Sequence, residues 1–179
     1  MRFCGSFEPR MFWERLNEPL EVKKPSRIFV CSMGEMFGSW VPTLWTNKIL
    51  RTIEKDRWHK FQILTKQPQN LPAFKYPENV WLGETIDGLE PREIMQKDLV
   101  HILETDARIK FVSFEPLLGP VKLHLEGLNW IIIGAQTNPR KPPDPDWVQQ
   151  VILEARRHDI PIFLKDNLEW PEKIQEFPE

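Results

Sequence analysis

Eight residues sit where short apolar runs of the chain give way to polar sequence. They are Ser32 and Glu35 after RIFVC, Thr65 and Lys66 after FQIL, Glu84 after VWLG, Glu115 after FVSF, Gln136 after WIIIGA, and Lys165 after PIFL. If these ends converge on one face, carboxylates and ammonium groups meet there with hydroxyls and an amide between them. Such a set can bind a zwitterion or a phosphate, or transfer protons through groups with shifted pKa values. Taken singly, each also reads as the ordinary polar end of a strand. Glu115 and Lys165 stand out because apolar residues flank them, and a charge at the end of a buried strand is costly unless something there uses it. Pro116 directly after Glu115 stops that strand from continuing.

Other chemistry-bearing residues offer less. Cys31 reads as a packed thiol inside an apolar strand, and Cys4 lies near the terminus with no partner in view; their spacing matches no zinc motif or disulfide framework. His59, His101, His124 and His158 are scattered at no metal-ligand spacing and read as surface or helix-end residues. Gly34 to Gly38 form no phosphate loop or dinucleotide fingerprint, and Ser32 lacks the nucleophile-elbow pattern. The tryptophans, Trp40, Trp45 and Trp81 among them, read as core rather than as a base-stacking platform.

The elements that must position these residues alternate. Strands are expected at Arg27–Met33, Phe61–Leu64, Val80–Gly83, Lys110–Phe114, Trp130–Ile133 and Ile160–Leu164. Between them come a helix from Thr43, its N-cap, to about Lys55 with Leu44, Trp45, Ile49, Leu50 and Ile53 inward, and a short turn near Leu71. A second helix after Pro91 buries Ile94, Met95, Leu99, Ile102 and Leu103, and a third, capped by Asp146, carries Trp147, Val148, Val151, Ile152 and Ala155. No full helix is expected after Glu115, and Asn138 to Pro145 reads as a stiff proline-rich loop. The alternation predicts the α/β class: right-handed βαβ units with a parallel sheet, either an open doubly wound sheet or a parallel (β/α) partial TIM-like barrel of about six strands. Periodicity alone leaves both open.

Length and composition bound the rest. A chain of 179 residues fits one domain, 1–179, and 41% hydrophobic with 28% charged residues is ordinary for a globular protein. Its formal net charge of −2 does not indicate nucleic acid as a partner, and no apolar stretch or signal peptide suggests a membrane, so a cytoplasmic location is expected. Residues 1–21 carry Phe3, Phe7, Met11, Phe12, Trp13 and Leu16 and are expected to pack on the core or cover a gap in it, with a short helix over Trp13–Leu20. The tail, 168–179, reads as irregular and acidic.

Taken in order, KKPSRIFVCSMGEMF (Lys23–Phe37), HKFQILTKQP (His59–Pro68), NVWLGETI (Asn79–Ile86), FVSFEPLLGP (Phe111–Pro120), WIIIGAQT (Trp130–Thr137), DWV (Asp146–Val148) and PIFLK (Pro161–Lys165) resemble the phage-associated proteins of the "gp thirty-seven / sixty-eight" type. That family is placed among radical-SAM-like barrels, with a distant likeness to spore photoproduct lyase. The resemblance covers about residues 18 to 168. It implies a parallel partial barrel and, in members with a C-x3-C-x2-C motif ahead of the matching region, a 4Fe–4S cluster with S-adenosylmethionine. This chain lacks that motif, so no cofactor is expected in it and the cluster-bearing first strand of the family is expected to be missing. Further departures surround the strand ends. The family's Asp after Ser-Met is Glu35; its Thr-Lys-Arg-Pro is Thr65-Lys66-Gln67-Pro68; its Gly-Gly-Glu-Ser is Gly134-Ala135-Gln136-Thr137; its Lys-Gln-Trp is Lys165-Asp166-Asn167. Three readings follow: a truncated member of a radical-SAM-type family, a cluster-free member that binds a small molecule or protein partner, or a non-radical enzyme using Glu115 and Lys165 as acid and base. A barrel short of a strand also suggests a homo-oligomer formed through its open edge.

Overall fold

Each run expected to be a strand is one, and the six lie side by side in a single parallel sheet. The computed structural model describes residues 9–179. In chain order its strands are β1 (Arg27–Val30), β2 (Lys60–Thr65), β3 (Val80–Thr85), β4 (Ile109–Phe114), β5 (Trp130–Ile133), the two-residue strands β6 (Gln136–Thr137) and β7 (Arg140–Lys141), and β8 (Ile162–Leu164). The sheet runs β1-β2-β3-β4-β5-β8, while β6 and β7 form a separate antiparallel hairpin. Because spatial order follows chain order, every crossover steps the same way. A doubly wound sheet would reverse direction partway; this one curls into a half-barrel.

Helices α1 (Thr43–Lys55), α2 (Arg92–Leu103) and α3 (Pro145–Arg157) make three of the crossovers. A 3-10 segment, Pro68–Ala73, joins β2 to β3, and the link from β4 to β5 has no helix, as its glycines and prolines predict. The helices pack Leu50, Ile53, Met95, Leu99, Val148 and Val151 onto the convex face of the sheet, against residues such as Ile63, Leu82, Val112 and Ile131. Alternate residues face inward. There Trp81, Ile109, Phe111 and Trp130 form a second apolar cluster with Leu64, Ile132 and Phe163. Gly83 shares that inner face. A Cβ on it would lie 2.4 Å from the Phe111 ring, so the close approach of the two strands' contents requires glycine.

Several local expectations are corrected. β1 stops at Val30, and Cys31 leaves it in a left-handed conformation (φ 53°) with its side chain exposed, not packed in a strand. Thr43 does not cap α1: Pro42 occupies the cap position and no side chain bonds the first turn. The cap of α3 is Asp144, which accepts from the Asp146 backbone N–H, because the helix starts at Pro145. Leu44 and Ile94 are exposed rather than inward. His59 is buried, not superficial; its Nδ1 accepts from Ser26 N–H and its Nε2 bonds Val22 O. The loop 138–145 contains β7, which pairs with β6 just before it.

The N-terminal segment departs from the expectation too. The segment Trp13–Leu20 is not one helix but two 3-10 turns, Trp13–Arg15 and Glu18–Glu21. Trp13 stands edge-on to Trp45 of α1, 6.5 Å away, so this segment leans on α1. Among the described residues β1 pairs only with β2; Phe3, Cys4 and Phe7 lie outside them. The tail is ordered against the opposite edge. Leu164 N–H donates to Ile174 O and Glu176 N–H to Ile162 O, which caps the free side of β8. Trp130 Nε1–H then donates to Glu176 O, and Phe177 packs on Trp130 and Phe163. Arg27 of β1 completes the contact, its guanidinium carbon 3.6 Å from the centre of the Phe177 ring. The tail thus reaches from β8 to a contact with β1.

Candidate functional site at the mouth of the half-barrel

Strand register sorts the polar strand-end residues into two groups. Trp81 pairs with Ile109, Gly83 with Phe111 and Thr85 with Ser113, so Thr85, Ser113 and, two residues on, Glu115 belong to the inner face. Lys66 follows Leu64 on that face of β2, and Lys165 follows Phe163 on that face of β8. Lys66, Thr85, Ser113, Glu115 and Lys165 therefore ring the C-terminal mouth. Neither Thr85 nor Ser113 stood out in the sequence; the parity they share with Glu115 is the signal that finds them.

Glu115 and Lys165 meet directly. Lys165 Nζ donates to both carboxylate oxygens, at 2.6 and 2.8 Å, across the end of β5. The pair fits because Gly134 lies beneath it: a Cβ there would fall 2.8 Å from Glu115 Oε1. Asn167 fastens the same rim, accepting from Ala135 N–H at 3.1 Å and donating to Ala135 O at 2.9 Å. Gln136 sits half-buried in β6, beside this rim.

Thr65 and Glu84 do not join the group. They pair with each other in register and face the helices. Glu84 is 1% exposed, and neither of its oxygens meets a hydrogen-bond partner among the described residues. Burial, helped by the Asp98 carboxylate on α2, pushes its carboxyl up to about 8, so it is neutral at pH 7. The expectation of a shared pocket for Glu84 and Glu115 is thus corrected: one residue of offset sends their side chains to opposite faces.

Glu35 is a staple rather than a free carboxylate. One oxygen accepts from Phe37 N–H (2.8 Å) and from the Thr65 hydroxyl (2.7 Å), the other from Lys66 N–H (3.0 Å), binding the β1–α1 loop to the end of β2. Beside it opens a cleft of about 530 Å³, within the range of small-molecule sites. Phe29, Met36, Trp40, Trp45 and Leu64 supply apolar wall; Cys31, Ser32, Thr65, Lys66 and Thr85 supply polar edges. Trp40, half-exposed, is a wall of this cleft and not core. The Cys31 thiol is pushed above its usual pKa by the protein around it and by Glu35, which disfavours the thiolate.

The donor set does not fit a 4Fe–4S cluster. Three irons of such a cluster require three thiolates, and the sequence holds two cysteines, Cys4 and Cys31, widely separated along the chain. Among the described residues no group of three His, Cys, Asp or Glu side chains is placed to hold a metal, and no helix is long and apolar enough to cross a membrane.

No curated protein and no solved structure matches the chain. One family model does, over residues 5–177, nearly the whole chain. The chain belongs to the family described as "Protein of unknown function (DUF5131)".

Proposed function

We propose that this chain is a cluster-free, phage-associated member of the radical-SAM-like barrel proteins that its motifs resemble, and that it binds a small molecule at the C-terminal mouth of its half-barrel. One observation carries the reading: Lys66, Thr85, Ser113 and the Glu115–Lys165 pair face the concave side together, beside an apolar-walled cleft. In parallel α/β folds this end of the strands is where ligands sit. The two-toothed Lys165–Glu115 contact favours binding over proton transfer, because each group occupies the other. Two cysteines with no pairing pattern support a reducing, cytoplasmic setting.

The test has two arms. Anaerobic reconstitution with iron and sulfide should leave no stoichiometric cluster on the monomer; a retained cluster overturns the cluster-free assignment. A fragment library followed by backbone-amide NMR shifts should move Ser32–Met36, Lys66 and Thr85 together. Hits that move only the convex face would remove the mouth as the binding site.

A further inference from the structure

We infer that the cleft beside β1 takes a small organic anion with a flat apolar body, its acid group set against the Lys66 ammonium. The inference rests on reading the mouth as a ligand site and adds the ligand's chemical class.

Charge bookkeeping of the cleft points there. Its charged side chains are Arg10, Glu35 and Lys66. Glu35 is consumed by three hydrogen bonds from within the protein, to both of its oxygens. Cys31 is held as a neutral thiol. Lys66 is different: its backbone N–H holds Glu35, while its ammonium forms no hydrogen bond or ion pair among the described residues. The same is true of the Arg10 guanidinium at the rim. Among the described residues the cleft therefore offers two cations with no acid left to meet them, so an incoming acid group completes the balance. The apolar part of the wall is largely aromatic or thioether: Phe29, Met36, Trp40 and Trp45. Flat rings pack well on such surfaces, and a carboxylate, sulfonate or phosphate would reach Lys66. A cationic ligand would find no free carboxylate among the described residues of this cleft, since the nearby Glu115 is held by Lys165.

The experiment uses three matched probes on the full chain: naphthoate, its uncharged amide, and naphthylmethylamine. Backbone-amide NMR titration gives both affinity and location. Naphthoate should bind about tenfold tighter than the amide, as expected for one charge-assisted hydrogen bond, and the amine weakest. Lys66→Ala should abolish that preference, and Lys66→Arg should restore it. The alanine variant keeps the backbone N–H that Glu35 needs, so it is expected to fold. Lys122→Ala, outside this cleft and lining another one, should change nothing. Equal binding of all three probes with shifts at Ser32–Met36 and Lys66 would overturn the anion class while leaving the mouth as a site. Shifts confined to other surfaces would overturn both. An unaltered preference in Lys66→Ala, or no binding by any probe, would also overturn the inference.

Discussion

Glu84 and Glu115 end neighbouring strands, β3 and β4, and each follows a short apolar run. Thr85 pairs with Ser113, which leaves Glu84 one residue out of step with Glu115. Glu115 consequently faces the mouth and receives both contacts of the Lys165 ammonium. Glu84 faces α2, where the charged group acting on it is another carboxylate, Asp98. The same side chain becomes half of an ion pair in one place and a buried neutral acid in the other. Position at a strand end is thus not enough to assign a residue to a barrel-mouth site; the face it occupies decides.

The strongest break in this contrast is expected from Glu84→Gln. Between pH 4.5 and about 8 the unfolded chain releases the Glu84 proton while the folded chain keeps it, so folding loses stability as pH rises through that window. Below it, both forms are protonated and the group contributes nothing. Glutamine cannot ionise, so the variant should gain on the order of 4 kcal/mol near pH 8 and almost nothing near pH 4. Denaturant melts at the two pH values check this. A variant less stable near pH 8 would mean that Glu84 is ionised and partnered, and the contrast would disappear.

Next in size is Gly83→Ala, which tests the face assignment itself. A methyl on the inner face must displace the Phe111 ring, at a cost of about 2 kcal/mol. A melt matching the parent would show that Gly83 does not face Phe111, and would put the inner and outer sets in question. The smallest effect is expected from Glu115→Gln. The pair is open to solvent, with side-chain exposures of 26% for Glu115 and 42% for Lys165, so its loss should cost about 1 kcal/mol or less. Molar salt should narrow the difference further. A loss several times larger, insensitive to salt, would make Glu115 a structural anchor rather than a residue available to the mouth.

The strands and most of the helices were legible because each apolar run is bounded by polar or turn-forming residues. The choice between an open sheet and a half-barrel was not, since it depends on spatial strand order, which no local pattern encodes. Nor was the division of Glu84 from Glu115. β3 and β4 are buried on both faces, so their sequences lack the alternation that would reveal which residues point inward. Glu35 was found as a polar strand-end residue, but its duty as a staple depends on backbone N–H groups at Phe37 and Lys66, and backbone groups leave no trace in sequence. The tail escaped for a related reason: a bridge at Gln175 and two main-chain hydrogen bonds to β8 are too short to have a period.

The stacking of Arg27 on Phe177 has a consequence for the order in which the molecule assembles. It joins the first strand to the segment beyond the last, so it closes one of the longest chain loops in the fold. Such contacts cost the most entropy to form early, and they are made cheaply only once the intervening strands have brought the two ends together. Phe177 also touches Trp130, whose indole is bonded to the neighbouring Glu176 carbonyl. In a refolding experiment the Trp130 environment should therefore mature late, after the core around Ile63 and Leu82, and its emission would mark the moment at which the first strand and the tail meet across the half-barrel.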